Sequence, residues 1–127
     1  MAPNWIFLGA LCGAVAVMAG AFGAHALRER LGPRELELWE TAARYLMYGG
    51  LAQVLVGLFQ FQLAVQRSLR PGLGPAGWCL FLGSLIFSGT VAALALGGPR
   101  WLGAVTPIGG TLLIAGLLLF AWAALHP

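Results

Sequence analysis

The sequence predicts an all-α polytopic membrane protein, a bundle of four transmembrane helices, and three observations carry that prediction. First, 60% of the 127 residues are hydrophobic and 9% are charged, against about 45–50% and about 25% in soluble globular chains. Second, the apolar residues gather into four runs, each close to the ~20 residues that a helix needs to cross a bilayer core. Third, these runs are continuous and show no alternation of period two, which excludes a β-barrel and leaves helices that satisfy their own backbone. The mean hydropathy is +0.87, and the charged set is seven Arg and four Glu with neither Lys nor Asp. Disorder, a coiled coil and a soluble enzyme core are thereby excluded, and residues 1–127 form one membrane domain.

The spans cover about residues 4–26, 43–65, 76–96 and 102–125. The first reads as a retained span and not as a signal peptide, because Met1-Ala2-Pro3-Asn4 carries no basic side chain and the apolar run is too long for an h-region. Gly32-Pro33 then breaks the chain, and Pro33 suits the first position of a new helix. From there an amphipathic extension over about residues 33–42 leads into span two. Its acids sit in the opening turns, where the helix dipole favours them, and Trp39 is placed to anchor at headgroup depth. Glu40 and Arg44, four apart, are able to pair on one helix face. Pro and Gly break the chain again at Pro71-Gly72 and at Gly97-Gly98-Pro99.

Orientation follows from the arginines. The loops after spans one and three hold Arg28, Arg30, Arg34 and Arg100, with Arg44 at the membrane edge, whereas the loop after span two holds Arg67 and Arg70. The positive-inside rule places the first group in the cytoplasm and both termini on the non-cytoplasmic side of a cell inner membrane. That asymmetry accounts for the net charge of +3, and no basic face with interleaved aromatics points to nucleic acid as a partner.

Span one is rich in small residues. Gly9 and Gly13 form a G-x-x-x-G, and Ala16, Gly20 and Ala24 continue the series, a face that lets helix backbones approach closely. The expectation is that span one is the central helix, packing within this chain or against a second copy. Polar residues inside a membrane usually have a reason, and most of them here fall toward one side. His25 closes span one; Glu40, Arg44, Tyr45 and Tyr48 open span two; Ser88 and Thr90 lie late in span three; and Thr106-Pro107 opens span four. Because the helices alternate in direction, these positions share one leaflet. Two readings stay open: a polar cap that ties helix ends together, or a titratable proton or ligand site, since histidine changes charge near neutral pH. Thr106 is expected to cap span four, with Pro107 in its first turn. Gln53, Gln60 and Gln62 are expected to hydrogen-bond between helices.

The chain offers no reactive machinery. There are only two histidines, no His/Cys/Glu set at metal spacing, no G-x-S-x-G, no phosphate loop and no paired catalytic carboxylates. Cys12 and Cys79, separated by 67 residues, read as small buried hydrophobes. No catalytic residue, cofactor or metal is expected, and enzymatic activity is not.

Five segments in order carry a family resemblance: Gly20-Ala21-Phe22-Gly23-Ala24-His25-Ala26-Leu27, Trp39-Glu40-Thr41-Ala42-Ala43-Arg44-Tyr45-x-x-Tyr48, Phe87-Ser88-Gly89-Thr90, Leu94-Ala95-Leu96-x-Gly98, and Leu102-Gly103-x-x-Thr106-Pro107-Ile108-Gly109-Gly110. Together they resemble the YgdD/YwdK-like family of small bacterial inner-membrane proteins, a domain of unknown function with a mitochondrial relative. The resemblance covers nearly the whole chain and implies a four-helix membrane protein with no established activity. The family pattern continues its second motif as Tyr-His-Ala-Leu, where this chain has Tyr48-Gly49-Gly50-Leu51. A family role for paired intramembrane histidines therefore does not transfer to this chain.

The functional expectation is a structural or interaction component of the membrane, as a homo-oligomer or an accessory subunit. The alternative is transport of protons, ions or a small apolar molecule through the His25–Glu40–Arg44–Tyr45 region.

Overall fold

The computed structural model describes residues 3–68 and 70–126; Met1 and Ala2 of the leader, Leu69 of the second loop and Pro127 lie outside the described residues. Helix α1 (Trp5–Phe22) is capped by the Asn4 side chain, which accepts from the Phe7 amide at 3.1 Å, and runs on into a π-turn over Gly23–Leu27. Helix α2 (Pro33–Val65) opens on Pro33 and continues unbroken for 33 residues, ~50 Å at 1.5 Å per residue. That exceeds the ~30 Å hydrocarbon thickness, so its opening turns stand out toward water. Helices α3 (Leu73–Ala95) and α4 (Leu102–Leu125) complete the fold. All four helices are long and apolar enough to cross a membrane.

Two of the connecting turns end their helices in the same way. After α3, Gly97 takes φ +92°, the Gly98 amide donates to the Ala93 carbonyl at 2.7 Å, and the Gly97 amide donates to Leu94 at 3.1 Å. After α2, Ser68 donates to Leu63 at 2.8 Å and Arg67 to Ala64 at 3.1 Å. This doubly bonded turn satisfies the last carbonyls and needs a left-handed residue, normally glycine. Arg67 occupies that position with φ 56°.

The helices pack in chain order, α1 on α2, α2 on α3 and α3 on α4, while α1 and α4 make no contact among the described residues. The bundle is therefore an open row with α1 and α4 at its ends. This corrects the expectation that span one is central: α2 and α3 are the inner helices, and α1 reaches α3 chiefly through Trp5. Glycines set the crossings. A Cβ on Gly9 would collide with the Gly50 carbonyl, one on Gly57 would lie 2.6 Å from the Ile6 side chain, and one on Gly83 would lie 2.8 Å from the Leu113 amide. Where lipid is as apolar as the helix surface, such close backbone approach is what holds helices together.

The core lies toward the terminal side of the bundle. Trp5, Val56, Leu63, Leu73, Leu80 and Ala123 are among its buried residues. Trp5 is only 1% exposed; its ring fills the space left by Gly77 and meets Trp78 edge-on at 5.3 Å. Nearby, Arg70 closes α4 by donating to the Ala123 and Ala124 carbonyls at 2.9 and 2.7 Å. Its guanidinium also lies over the Phe59 ring at 5.2 Å. The opposite half, toward the loops that join α1 to α2 and α3 to α4, is more open and holds the clefts described next.

Candidate functional site

The polar residues singled out from the sequence sit in the open half, but they do not form one cluster. His25 lies in the π-turn and is exposed, and Glu40 and Arg44 are exposed on α2. Tyr45 and Tyr48 meet edge-on at 5.4 Å, and Tyr45 packs on Phe87 of α3 at 4.8 Å. Ser88, next in sequence to Phe87, faces a different cleft among residues of α1 and α2. The cause is helical geometry: adjacent residues are ~100° apart around a helix, so neighbours in sequence serve different surfaces.

Thr106 is placed differently from the expected cap. Because α4 starts at Leu102, Pro107 lies inside the helix and not in its first turn. Thr106 is able to donate either to Thr90 Oγ1 of α3 at 2.7 Å or to the Leu102 carbonyl at 3.1 Å. Thr90 in turn bonds to the Ile86 carbonyl at 2.8 Å. Each hydroxyl is thus satisfied, and the pair ties α3 to α4.

The small-residue face of α1 also divides. Gly9 and Ala16 are buried, and a Cβ on Gly13 would touch the Met47 sulfur at 3.6 Å. A Cβ on Gly20 would meet nothing within 4 Å, and Ala24 is exposed.

Two of the clefts between the helices bear on these residues. The first, about 240 Å3, lies between α1, α2 and α3 and is lined by Val15, Trp39, Leu46, Leu85 and Ser88. Ser88 is 6% exposed and its hydroxyl has no hydrogen-bond partner. The second, about 390 Å3, lies between α2, α3 and α4 and is lined by Tyr45, Phe87, Gly110, Ile114 and Leu117. Both are predominantly apolar. Among the described residues, no group of three or more His, Cys, Asp or Glu is arranged to hold a metal ion.

Several structural roles were not foreseen in the sequence. Trp39 donates its indole N–H to the Ala19 carbonyl at 2.7 Å, beside Gly23, whose lack of a side chain admits the ring. Gly49 faces Ser84 so closely that a Cβ there would overlap the Ser84 hydroxyl. Gln53, by contrast, makes the expected link between helices: it is fully buried, its amide N–H reaches Cys12 Sγ of α1 at 3.8 Å, and its oxygen has no partner among the described residues. Gln62 is exposed and makes no such link. The only sequence signal for these contacts is the density of glycine in facing spans, which does not say which glycine meets which residue.

Comparison with known proteins places this chain in a family. Residues 19–110 match the family described as "Protein of unknown function (DUF423)". The chain is 44% identical over 115 residues to a UPF0382 membrane protein of Staphylococcus haemolyticus, covering 91% of this chain and 89% of the relative. It is 43% identical over 121 residues to a UPF0382 membrane protein of Staphylococcus epidermidis, covering 95% and 94%. With a UPF0382 membrane protein of Staphylococcus aureus (strain bovine RF122) the identity is 39% over 115 residues, covering 91% and 89%. No solved structure matches the chain.

Proposed function

The chain belongs to the DUF423 family, and from that premise we propose that this multi-pass membrane protein acts by association within the bilayer, as a homo-oligomer or an accessory subunit of a larger membrane complex. The supporting observation is the division of the α1 small-residue face. Its Gly9–Gly13 section is occupied by α2, whereas Gly20 has open space beside it and Ala24 is exposed. With α1 at the end of an open row, that uncovered section faces outward, where a helix of another chain is able to approach closely.

The role requires no catalytic step. Transport of protons or ions draws no support from the arrangement: His25, Glu40 and Arg44 are exposed on the outside of the helices, and both clefts are lined mainly by apolar side chains. The protein resides in the inner membrane, with the loops bearing Arg28, Arg30, Arg34 and Arg100 toward the cytoplasm and both termini on the other side.

Extraction in mild detergent followed by light-scattering mass measurement tests the reading. Wild type is expected as an oligomer or with a co-purifying membrane protein, and Gly20→Leu with Ala24→Leu is expected to release a folded monomer. A wild-type monomer with nothing bound overturns it.

A further inference from the structure

The cleft between α2, α3 and α4 is not alone on its side of the bundle. Above it lies a second cleft of about 360 Å3, lined by Arg34, Glu35, Leu38, Leu94, Arg100 and Gly103. The two lie one above the other on the same face of these helices. Leu38 and Tyr45 on α2, Phe87 and Leu94 on α3, and Gly103 and Gly110 on α4 are each seven residues apart. Seven residues are two helical turns, ~10 Å along the same face. The upper stretch lies at the loop end of the helices and so at the membrane surface; the lower stretch lies inside the hydrocarbon region.

The lining changes with depth. The rim carries two guanidinium groups, Arg34 and Arg100, both exposed. Glu35 is the one acid there. Its Oε2 lies 2.7 Å from where a Cβ on Gly32 would stand, so it bends back to the start of its own helix, where the dipole favours a carboxylate. Two arginines against that one glutamate leave the rim net positive. Two turns deeper the trough is apolar apart from the Tyr45 and Tyr48 hydroxyls. From Gly103 to Leu117 the two clefts together cover fifteen residues, fourteen rises or ~21 Å of helix, against ~15 Å for half a hydrocarbon core.

Positive charge at the surface, an apolar trough below and the length of one leaflet together match one class of molecule. We propose that this pair of clefts binds an anionic phospholipid, its phosphate between Arg34 and Arg100 and an acyl chain lying against Tyr45, Phe87, Gly110 and Ile114. Basic pockets between membrane helices recognise anionic headgroups in this way. The orientation rule explains why arginines gather on this side, but it does not require two of them, from α2 and from the turn before α4, on the rim of one cleft.

Purified protein in mild detergent, mixed with equimolar dioleoyl phosphatidylglycerol and dioleoyl phosphatidylcholine, gives the test through native mass spectrometry of retained lipid. Wild type is expected to retain phosphatidylglycerol over phosphatidylcholine by on the order of tenfold, and Arg34→Gln with Arg100→Gln to bring the ratio to about one. Arg28→Gln with Arg30→Gln leaves the ratio unchanged. Gly110→Leu fills the trough and lowers retention of both lipids. Gly103→Leu, whose Cβ meets open space, gives the same reading should Gly110→Leu unfold. Equal retention of the two lipids by wild type, an unchanged ratio in the Arg34/Arg100 variant, or an equal fall in the Arg28/Arg30 variant overturns the proposal. Disulfide crosslinking of Ile114→Cys between two copies in native membranes also overturns it, because a protein helix then occupies the trough.

Discussion

The indole N–H of Trp39 donates a 2.7 Å hydrogen bond to the main-chain carbonyl of Ala19, which fastens the start of α2 to the end of α1 just before the π-turn. The ring fits because Gly23 has no side chain: a Cβ there would stand 2.5 Å from Trp39 Cδ1. Trp39→Phe keeps a ring and removes the bond, with an expected loss of about 0.6–1.7 kcal/mol, the range for single hydrogen bonds between membrane helices. Gly23→Ala displaces the ring as well and is expected to cost more. Unfolding titration in mixed micelles measures both, and a Gly23→Ala protein as stable as wild type refutes the contact.

Gly9 and Gly20 belong to the same small-residue series, yet their environments predict opposite outcomes. Gly9→Ala drives a methyl into the Gly50 carbonyl and is expected to cost about 1–3 kcal/mol, as overpacking does. Gly20→Ala meets open space and is expected to be neutral or to stabilise by about 0.5–1 kcal/mol through helix propensity. The same titration reads the pair. Equal effects at the two positions exclude the packing described for α1.

Gly49 and Ser84 predict a coupled pair. Gly49→Ala overlaps the Ser84 side chain, with an expected loss of about 1–3 kcal/mol. Adding Ser84→Gly clears the space, so the double variant is expected to recover most of that loss. A double-mutant cycle in which the two changes simply add counts against the contact.

Two arginines of the second loop have opposite energetics. Arg67 holds a left-handed conformation, φ 56°, that costs a side-chain-bearing residue ~1–2 kcal/mol. Arg67→Gly is therefore expected to raise stability by up to about 1 kcal/mol, after the greater flexibility of glycine in the unfolded chain. Arg70 donates to the last carbonyls of α4, and Arg70→Gln is expected to cost about 1.5–3 kcal/mol, as for hydrogen bonds from charged groups. Melting temperatures of the two variants are expected to move in opposite directions, and a shared direction contradicts one of the two assignments.

Orientation is checked with reporters. On the proposed orientation, an alkaline phosphatase fused after Leu125 is expected to be active and one inserted between Gly98 and Pro99 inactive. The reverse pattern inverts the topology and moves the lipid site to the other leaflet.

The residues show where the sequence was legible. Pro33 signals a helix start through local chemistry, and Gly97 signals a helix end through a backbone angle that only glycine adopts freely. The polar set was less legible. Ser88 and Phe87 are neighbours in the chain but face different clefts, and Thr106 meets Thr90 where a capping role was expected, because α4 begins a turn earlier. Trp5 carried no signal at all: its burial depends on Gly77, 72 residues away.

Residue order alone is enough to tell that this protein lives in a bilayer, how many of its helices are fit to cross it and which ends of those helices lie together. Those properties depend on the length and average polarity of each segment, and excluding an unpaired backbone from lipid is a one-dimensional constraint. The packed fold was needed to reveal that α2 and α3 are the inner helices, that Gly9 is packed while Gly20 is bare, and that Arg34 and Arg100 share a rim. In lipid the outside of a helix is as apolar as the inside, so hydrophobicity does not mark the inward face. Helix order is then set by which small residues allow two backbones to meet, a relation between distant positions that becomes visible only in three dimensions.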